Sequence, residues 1–172
     1  MGSAHAVEQI WQWLDDVKDP EIPVISLVEL GIVRDVRIDD QTTVVTITPT
    51  YSGCPATRVI GLDIETALRG HGIEALRIEQ QLSPVWTTDW ITAAGRTKLQ
   101  EYGIAPPVDG TAADGRLMAR VGALASGRNF VVVCPRCGSG KTEKVSQFGS
   151  TPCKASYRCT DCLEPFDYFK CI

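Results

Sequence analysis

The chain has 172 residues and a formal net charge of −4, with 44% hydrophobic and 22% charged residues. These proportions are close to those of globular proteins and exclude a wholly disordered chain. No apolar run reaches the roughly eighteen residues that a membrane span needs, and the first residues lack the pattern of a secretory signal. We therefore expect a folded protein of a reducing compartment with no membrane partner.

Charge is distributed unevenly along the chain. Residues 129–172 carry a net charge of about +2, whereas the remainder carries about −6. Two segments of opposite charge predict two domains. Small residues and prolines dominate the stretch between them, so we predict a domain at 1–103, a linker at 104–128 and a second domain at 129–172.

The first elements predicted are a helix and a hairpin. Apolar residues recur at helical spacing over 7–17, and Pro20 ends that helix because proline disfavours helical geometry in the residue before it. Two stretches rich in β-branched residues, 32–38 and 43–48, flank a polar turn. This pattern predicts two strands joined as a hairpin.

A second helix, a third strand and a third helix are predicted next. Pro55 is tolerated at a first helical position, and apolar residues continue the helix to Leu68. Residues 73–82 predict a strand, and Thr92 can cap a short helix over 93–102. The order αββαβ is typical of an α+β sandwich with helices on one face of a small sheet.

Two CxxC pairs, Cys134/Cys137 and Cys159/Cys162, lie in the C-terminal domain. Four thiolates at this spacing can surround zinc tetrahedrally, and four protein ligands leave no position for a substrate. We therefore predict a structural zinc site in a β-rich ribbon, with iron as the less favoured metal. Because so short a segment buries little apolar surface, its folding should be coupled to metal binding.

Strands and spare cysteines complete the predicted ribbon. Cys153 and Cys171 are outside the CxxC pairs, and a place in the thin core explains them more simply than a second metal or a redox role. The predicted ribbon strands are residues 130–133, 144–148, 155–158 and 166–171.

Cys54 is the cysteine of the N-terminal domain, between a predicted strand and a predicted helix. The dipole of the helix favours a thiolate at this position, so Cys54 is a candidate metal ligand or nucleophile. Asp19 and Glu21 lie in a turn that can approach the same end of the sheet. A structural role for the thiol is the alternative. No Ser-His-Asp arrangement and no phosphate-binding glycine loop is present, so we do not expect this chain to be an enzyme by itself.

Short stretches of the chain resemble two known families. Asp19-Pro-Glu-Ile-Pro23 and Thr50-Tyr-Ser-Gly-Cys-Pro55 resemble the small α+β domain of iron–sulfur assembly factors, including SufT-like proteins. Leu30-Gly-Ile-Val33 belongs to the same resemblance. Other stretches are similar to the PaaD-type component of the multicomponent phenylacetyl-CoA epoxidase, its D subunit. They are residues 86–90, 101–107, 148–154 and 164–172.

The resemblance implies a cytoplasmic, non-catalytic subunit in aerobic phenylacetate catabolism. The associated complex epoxidises an aromatic ring with a di-iron subunit and an iron–sulfur flavin reductase. The PaaD-type component would assist maturation of a partner's metal centre, above all that of the reductase. Cys54 would then contact iron or a cluster transiently, supported by Asp19 and Glu21. A homodimer, or a second ligand such as Cys153, would complete the site.

Two other functions are compatible with the sequence. A structural subunit could bridge the epoxidase components without handling metal. A nucleic-acid-binding ribbon is disfavoured, because phosphate contacts need a denser basic surface than about +2 provides. For partner docking, we expect the ribbon to expose some of its aromatic residues. The candidates are Tyr157, Phe166, Tyr168 and Phe169, although some of these four must fill the small core of the ribbon.

Overall fold

The computed structural model describes residues 7–108 and 131–170. The chain divides into two compact units. The first extends to Trp86 and includes Trp90–Gly95, and the second comprises Thr87–Asp89 and the chain from Arg96 onwards. The domain limits predicted from the sequence stay a prediction. Among the described residues, no helix has the length and apolar character needed to cross a membrane.

The first unit has the predicted αββαβ order. Its three-stranded sheet has the order β1-β2-β3, with β2 antiparallel to β1 and parallel to β3. The crossover between the parallel strands is the second helix, which confirms the α+β fold class. The elements are α1 Val7–Asp15, β1 Val33–Asp39, β2 Thr42–Ile47, α2 Thr57–Gly70 and β3 Leu76–Gln80.

The core of this unit lies between the helices and the sheet. Both helices bury an apolar stripe at helical spacing, which includes Ile10 and Leu14 of α1 and Ile64 and Leu68 of α2. α1 packs against α2 and β1, and α2 packs against β3. The hairpin closes tightly because Asp40 and Gln41 adopt φ values of 44° and 70°, the backbone that two-residue hairpin turns require.

Ion pairs cover the other face of the sheet. Val44 is in register with Arg37 on one side and Arg77 on the other. Both arginines pair with Glu79, at 2.6 Å and 3.0 Å. Val44 is nonetheless fully buried, because the long arginine stems can shield apolar surface while their charged ends stay in water.

The second unit contains a four-stranded sheet of order β4-β7-β6-β5. Helix α3 leads into it and begins where the sequence predicts, since Thr92 Oγ1 accepts a hydrogen bond of 3.0 Å from the Gly95 backbone N–H. β6 pairs antiparallel with β5 and β7, and β4 pairs in parallel with β7. Its strands are β4 Ile104–Ala105, β5 Thr142–Ser146, β6 Lys154–Cys159 and β7 Pro165–Phe169, and α3 Ala93–Tyr102 begins in the first unit and continues into the second.

Three details of the second unit differ from the sequence-based expectation. The strand predicted over 130–133 is wrong for its described part, because residues 131–133 form no strand. Ile104 and Ala105, expected in the linker, form β4. The four ribbon aromatics, of which only some were expected in the core, are all at most 7% exposed and buried. Phe130, Cys171 and most of the predicted linker lie outside the described residues.

Candidate metal centre

The two CxxC turns of the ribbon have the same construction. The Cys134 backbone N–H donates to the Ser139 carbonyl at 2.8 Å, and the Cys159 N–H donates to the Glu164 carbonyl at 3.0 Å. In each turn, the residue that follows the second cysteine has a positive φ, and these residues are Gly138 and Leu163. The left-handed residue reverses the chain and turns both thiols of each pair to the same side.

The four thiols of these turns converge on one point. The sulfur atoms of Cys134, Cys137, Cys159 and Cys162 all lie within 4.8 Å of one another. The Sγ–Sγ distance is 3.8 Å between Cys134 and Cys162 and 3.6 Å between Cys137 and Cys159. Zn–S bonds of about 2.3 Å in a tetrahedron place neighbouring sulfurs about 3.8 Å apart, whereas a disulfide needs about 2.05 Å. The arrangement therefore fits zinc and not two disulfides.

Hydrogen bonding makes the four thiols unequal. The backbone N–H of Cys162 points at Cys159 Sγ, at 3.5 Å, and this bond lowers the pKa of Cys159 to about 7. A backbone hydrogen bond at Ser139 lowers the pKa of Cys137, but contacts with the other thiols, Cys162 first, and burial raise it to about 12. The Cys159 thiolate is thus accessible near neutral pH, and a bound cation would supply the charge that deprotonates Cys137.

Polar side chains join the two turns outside the sulfur cluster. Ser139 Oγ donates to Asp161 at 2.6 Å, and Lys141 Nζ lies 3.2 Å from the same carboxylate. Ser139 belongs to the first turn and Asp161 to the second. These bonds fix the relative position of the turns and support the ligand geometry, as outer hydrogen bonds do in protein metal sites.

Cys54 lies in the loop between β2 and α2, three residues before the helix begins. Its carbonyl accepts hydrogen bonds from the N–H of Thr57 at 3.3 Å and from Thr57 Oγ1 at 2.9 Å. Its side chain is partly exposed and forms no disulfide. α2 has no side-chain cap at its N-terminus, so Cys54 lies shortly before a helix end whose backbone N–H groups are not capped by a side chain.

Asp19 and Glu21 lie in the connection from α1 to β1. Asp19 Oδ1 accepts hydrogen bonds of 2.9 Å from the backbone N–H groups of Glu21 and Ile22, and the residue is 6% exposed. This connection and the Cys54 loop leave the sheet at the same end, because the Thr48 N–H donates to the Ile32 carbonyl.

A shared metal site at this end of the sheet stays a prediction. Among residues 7–108 and 131–170, the four ribbon cysteines form the group of three or more His, Cys, Asp or Glu that could hold a metal. Neither Cys54 nor Asp19 and Glu21 belong to it.

Sequence reasoning missed a pair of lysines on the ribbon. Lys144 and Lys170 both hydrogen bond to Gln147. They are far apart in the chain, and neither belongs to a recognisable motif. Lys144 lies on β5 and Lys170 follows β7. Only a prediction of the strand order in the sheet would have indicated that the two lysines lie close together.

The α+β unit and the cysteine cluster define the class of protein: an iron–sulfur-assembly-type domain combined with a zinc ribbon. Residues 7–78 match the family described as "Iron-sulfur cluster assembly protein", and residues 120–170 match the "PaaD zinc beta ribbon domain". The chain is 46% identical over 166 residues to the putative D subunit of the 1,2-phenylacetyl-CoA epoxidase of Escherichia coli (strain K12), with 96% of this chain and 93% of that protein covered. The chain belongs to the PaaD family of phenylacetyl-CoA epoxidase components.

Two further relatives match the N-terminal half. The "Fe-S protein maturation auxiliary factor YitW" of Bacillus subtilis (strain 168) is 36% identical over 84 residues, which cover 48% of this chain and 81% of that protein. The crystal structure of a domain of unknown function, DUF59, from Bacillus anthracis has a TM-score of 0.51 at 26% identity, over 54% of this chain and 90% of that domain. These relatives carry the N-terminal fold without the full length of the present chain.

Proposed function

We propose that this protein is a non-catalytic accessory subunit that assists maturation of an iron–sulfur or di-iron centre in a partner subunit of a phenylacetyl-CoA epoxidase system. One observation carries the proposal. A partly exposed cysteine, Cys54, lies three residues before the uncapped start of α2 in a domain of the iron–sulfur cluster assembly family. The designation of the Bacillus subtilis relative as a maturation auxiliary factor supports the same role.

A single thiol at Cys54 suits the transfer of iron or a cluster better than its storage. Iron–sulfur clusters are usually held by four cysteine thiolates, and the N-terminal unit supplies one. A cluster or iron ion bound through one protein thiol keeps its other coordination positions open to ligands of the client. Asp19 and Glu21, on the neighbouring connection, would supply negative charge close to the incoming iron. Iron is thus the cargo of this site, and the reductase is the proposed client.

The ribbon would have a different task. Its four thiols surround one point at distances that fit zinc, so they leave no open position for cargo. We assign zinc a structural role that gives the ribbon a fixed surface for a partner subunit. Metal handling and partner binding would then lie in separate units of the chain.

The experiment is to produce the partner reductase together with wild-type protein or Cys54→Ala and to measure its iron and sulfide. We expect the variant to lower cluster occupancy several-fold while its own zinc content and unfolding temperature stay unchanged. Ser52→Ala, an exposed change in the same loop, is the matched control and should leave occupancy unchanged. Full occupancy with Cys54→Ala would remove the maturation role.

The second candidate is a structural subunit that bridges epoxidase components. The designation of the Escherichia coli relative as an epoxidase subunit favours it. This role predicts stable co-purification at fixed stoichiometry, loss of assembly when the ribbon is disrupted, and no effect of Cys54→Ala. Transient, substoichiometric association would favour maturation instead.

A further inference from the structure

An apolar surface with two cations lies on the ribbon beside β5. We call it the Phe148 patch, and it comprises Lys144, Val145, Gln147, Phe148 and Lys170. Val145 and Phe148 are 64% and 65% exposed. The core of the ribbon is filled by other aromatics, so these two are not needed to complete it.

The two lysines of the patch converge on one residue. Lys144 Nζ donates to Gln147 Oε1 at 3.0 Å, and Lys170 Nζ donates to the Gln147 carbonyl at 2.6 Å. An ammonium has three donors, so each keeps two for another acceptor. Burial lowers the pKa of Lys170, the charge of Cys153 raises it, and the positive charge of Lys144 lowers it by a smaller amount. An anion placed between them would relieve this repulsion.

Three of the other ribbon cations are already paired with carboxylates. Lys141 pairs with Asp161 at 3.2 Å, Lys154 with Asp167 at 3.7 Å, and Arg158 with Glu143 at 3.5 Å. Neither Lys144 nor Lys170 has a carboxylate within ion-pair distance in residues 7–108 and 131–170. Arg136, in the first CxxC turn, is likewise without an ion pair in these ranges, so Lys144 and Lys170 are two of three such ribbon cations. These two meet at Gln147, next to the exposed Phe148.

Phe148 is held in place although it is exposed. Its ring centroid lies 4.2 Å from Lys170 Nζ, a cation–π distance, and its backbone N–H donates to Ser146 Oγ at 3.2 Å. The register of β5 shifts between Lys144 and Ser146, which marks a bulge at Val145. A bulge disrupts further strand pairing, so a partner would meet this surface through side chains.

We propose that the Phe148 patch docks an acidic segment of a partner protein, with a carboxylate between Lys144 and Lys170 and an apolar side chain against Phe148 and Val145. Charge complementarity selects this partner class. A nucleic acid would require a row of basic residues, whereas this surface offers two. The inference deepens the proposed function, because it names the chemistry by which the ribbon recognises a partner, and it rests on that function for the identity of the client.

The test uses the full, zinc-loaded chain and a short fluorescein-labelled peptide with glutamates around a Leu-Leu pair. Fluorescence anisotropy should show saturable binding of this peptide and none of its glutamine counterpart. The double variant Lys144→Gln/Lys170→Gln should weaken binding at least tenfold, and Phe148→Ala should weaken it several-fold. Arg158→Gln removes one positive charge from the same ribbon, at a residue already paired with Glu143, and should leave the affinity unchanged.

Each remaining outcome decides the proposal. Failure of the acidic peptide to bind, or equal weakening by Arg158→Gln, overturns it. Tighter binding of a single-stranded DNA of similar charge overturns the partner class. Zinc content is measured for every variant. If Phe148→Ala loses zinc, the binding result for Lys144→Gln/Lys170→Gln decides the docking proposal. Cys54→Ala should bind the peptide normally, so loss of cluster delivery and loss of docking can be told apart.

Discussion

Gly138 and Leu163 occupy the same position in the two CxxC turns, with φ values of 74° and 65°. Glycine adopts this left-handed backbone freely, whereas a residue with a β-carbon is strained there by about 1–2 kcal/mol. The Leu163 side chain is 64% exposed, so little packing compensates for the strain. The second turn is therefore less favourable than the first because Leu163 has a left-handed backbone conformation.

Leu163→Gly should stabilise the zinc-loaded ribbon by about 1 kcal/mol, because it removes the strain and little buried surface. The free energy of unfolding from a denaturant titration gives the change. Leu163→Ala is the matched control: it removes the exposed side chain but keeps the β-carbon, so we expect almost no effect. Gly138→Ala should destabilise by about the amount that Leu163→Gly gains. Equal stabilisation by Ala and Gly at 163 would show that exposure, not φ, is responsible.

The sequence was sufficient to predict those structural elements whose signal comes from neighbouring residues in the chain. The helical stripe of α1, the β-branched hairpin strands and the Thr92 cap each depend on neighbours in the chain, and all three are confirmed. The cysteine cluster was predictable for a different reason, because metal ligation imposes a fixed spacing on the CxxC pairs.

What the sequence could not show depends on contacts between distant residues. Two residues, Ile104 and Ala105, are too short a run to predict a strand, and their pairing with β7 lies far along the chain. Composition cannot tell which aromatics of β6 and β7 fill a thin core and which are exposed for docking. Tyr157 lies between Phe166 and Tyr168, at ring-centroid distances of 5.9 Å and 5.6 Å. Phe148, outside these strands, is the exposed one.

Gly31→Ala should destabilise the first unit by about 3 kcal/mol or more, because strain and a steric clash act together. Gly31 has a φ of 74°, and an added β-carbon would lie 2.6 Å from Trp90 Cβ and 2.7 Å from the Trp90 carbonyl oxygen. Backbone atoms cannot move aside as a flexible side chain can. Thermal unfolding followed by tryptophan fluorescence measures the effect.

Gly72→Ala is the matched control for that substitution. Gly72 has a φ of 85°, but an added β-carbon there meets no atom within 4 Å. The control should therefore show only the backbone strain, about 1 kcal/mol. Equal losses at both positions would mean that the contact with Trp90 adds nothing.

The ion pair between Arg37 and Glu79 should make the stability of the first unit depend on pH. The hydrogen bond from Arg37 holds the pKa of Glu79 below its usual value of 4.5. A lowered folded-state pKa contributes stability that is present above the unfolded-state pKa and is lost as pH falls through the folded-state value. The stability difference between wild type and Glu79→Gln should accordingly shrink as the pH is lowered below the usual Glu79 pKa of 4.5.

Carbon-13 NMR of the Glu79 carboxyl group checks the cause of that pH dependence. The pKa of Glu79 should rise towards its usual value in Arg37→Gln, because Arg37 supplies the largest interaction that lowers it. An unchanged pKa in Arg37→Gln would assign the effect to Arg77, whose guanidinium also contacts Glu79 at 3.0 Å.

Zinc removal should unfold the ribbon and leave the α+β unit intact, since the four thiols converge on one point between the two turns of a small core. Amide hydrogen exchange after treatment with a chelator should show loss of protection in β5, β6 and β7 and continued protection in β1, β2 and β3. Cys159→Ser should reproduce this pattern and abolish stoichiometric zinc.

Cys153→Ser tests the specificity of the site. Cys153 is buried and contacts Thr151 Oγ1 at 3.0 Å, but it lies outside the sulfur cluster. The variant should therefore retain one zinc per chain. Loss of zinc from Cys153→Ser with an intact β-sheet would place Cys153 among the ligands.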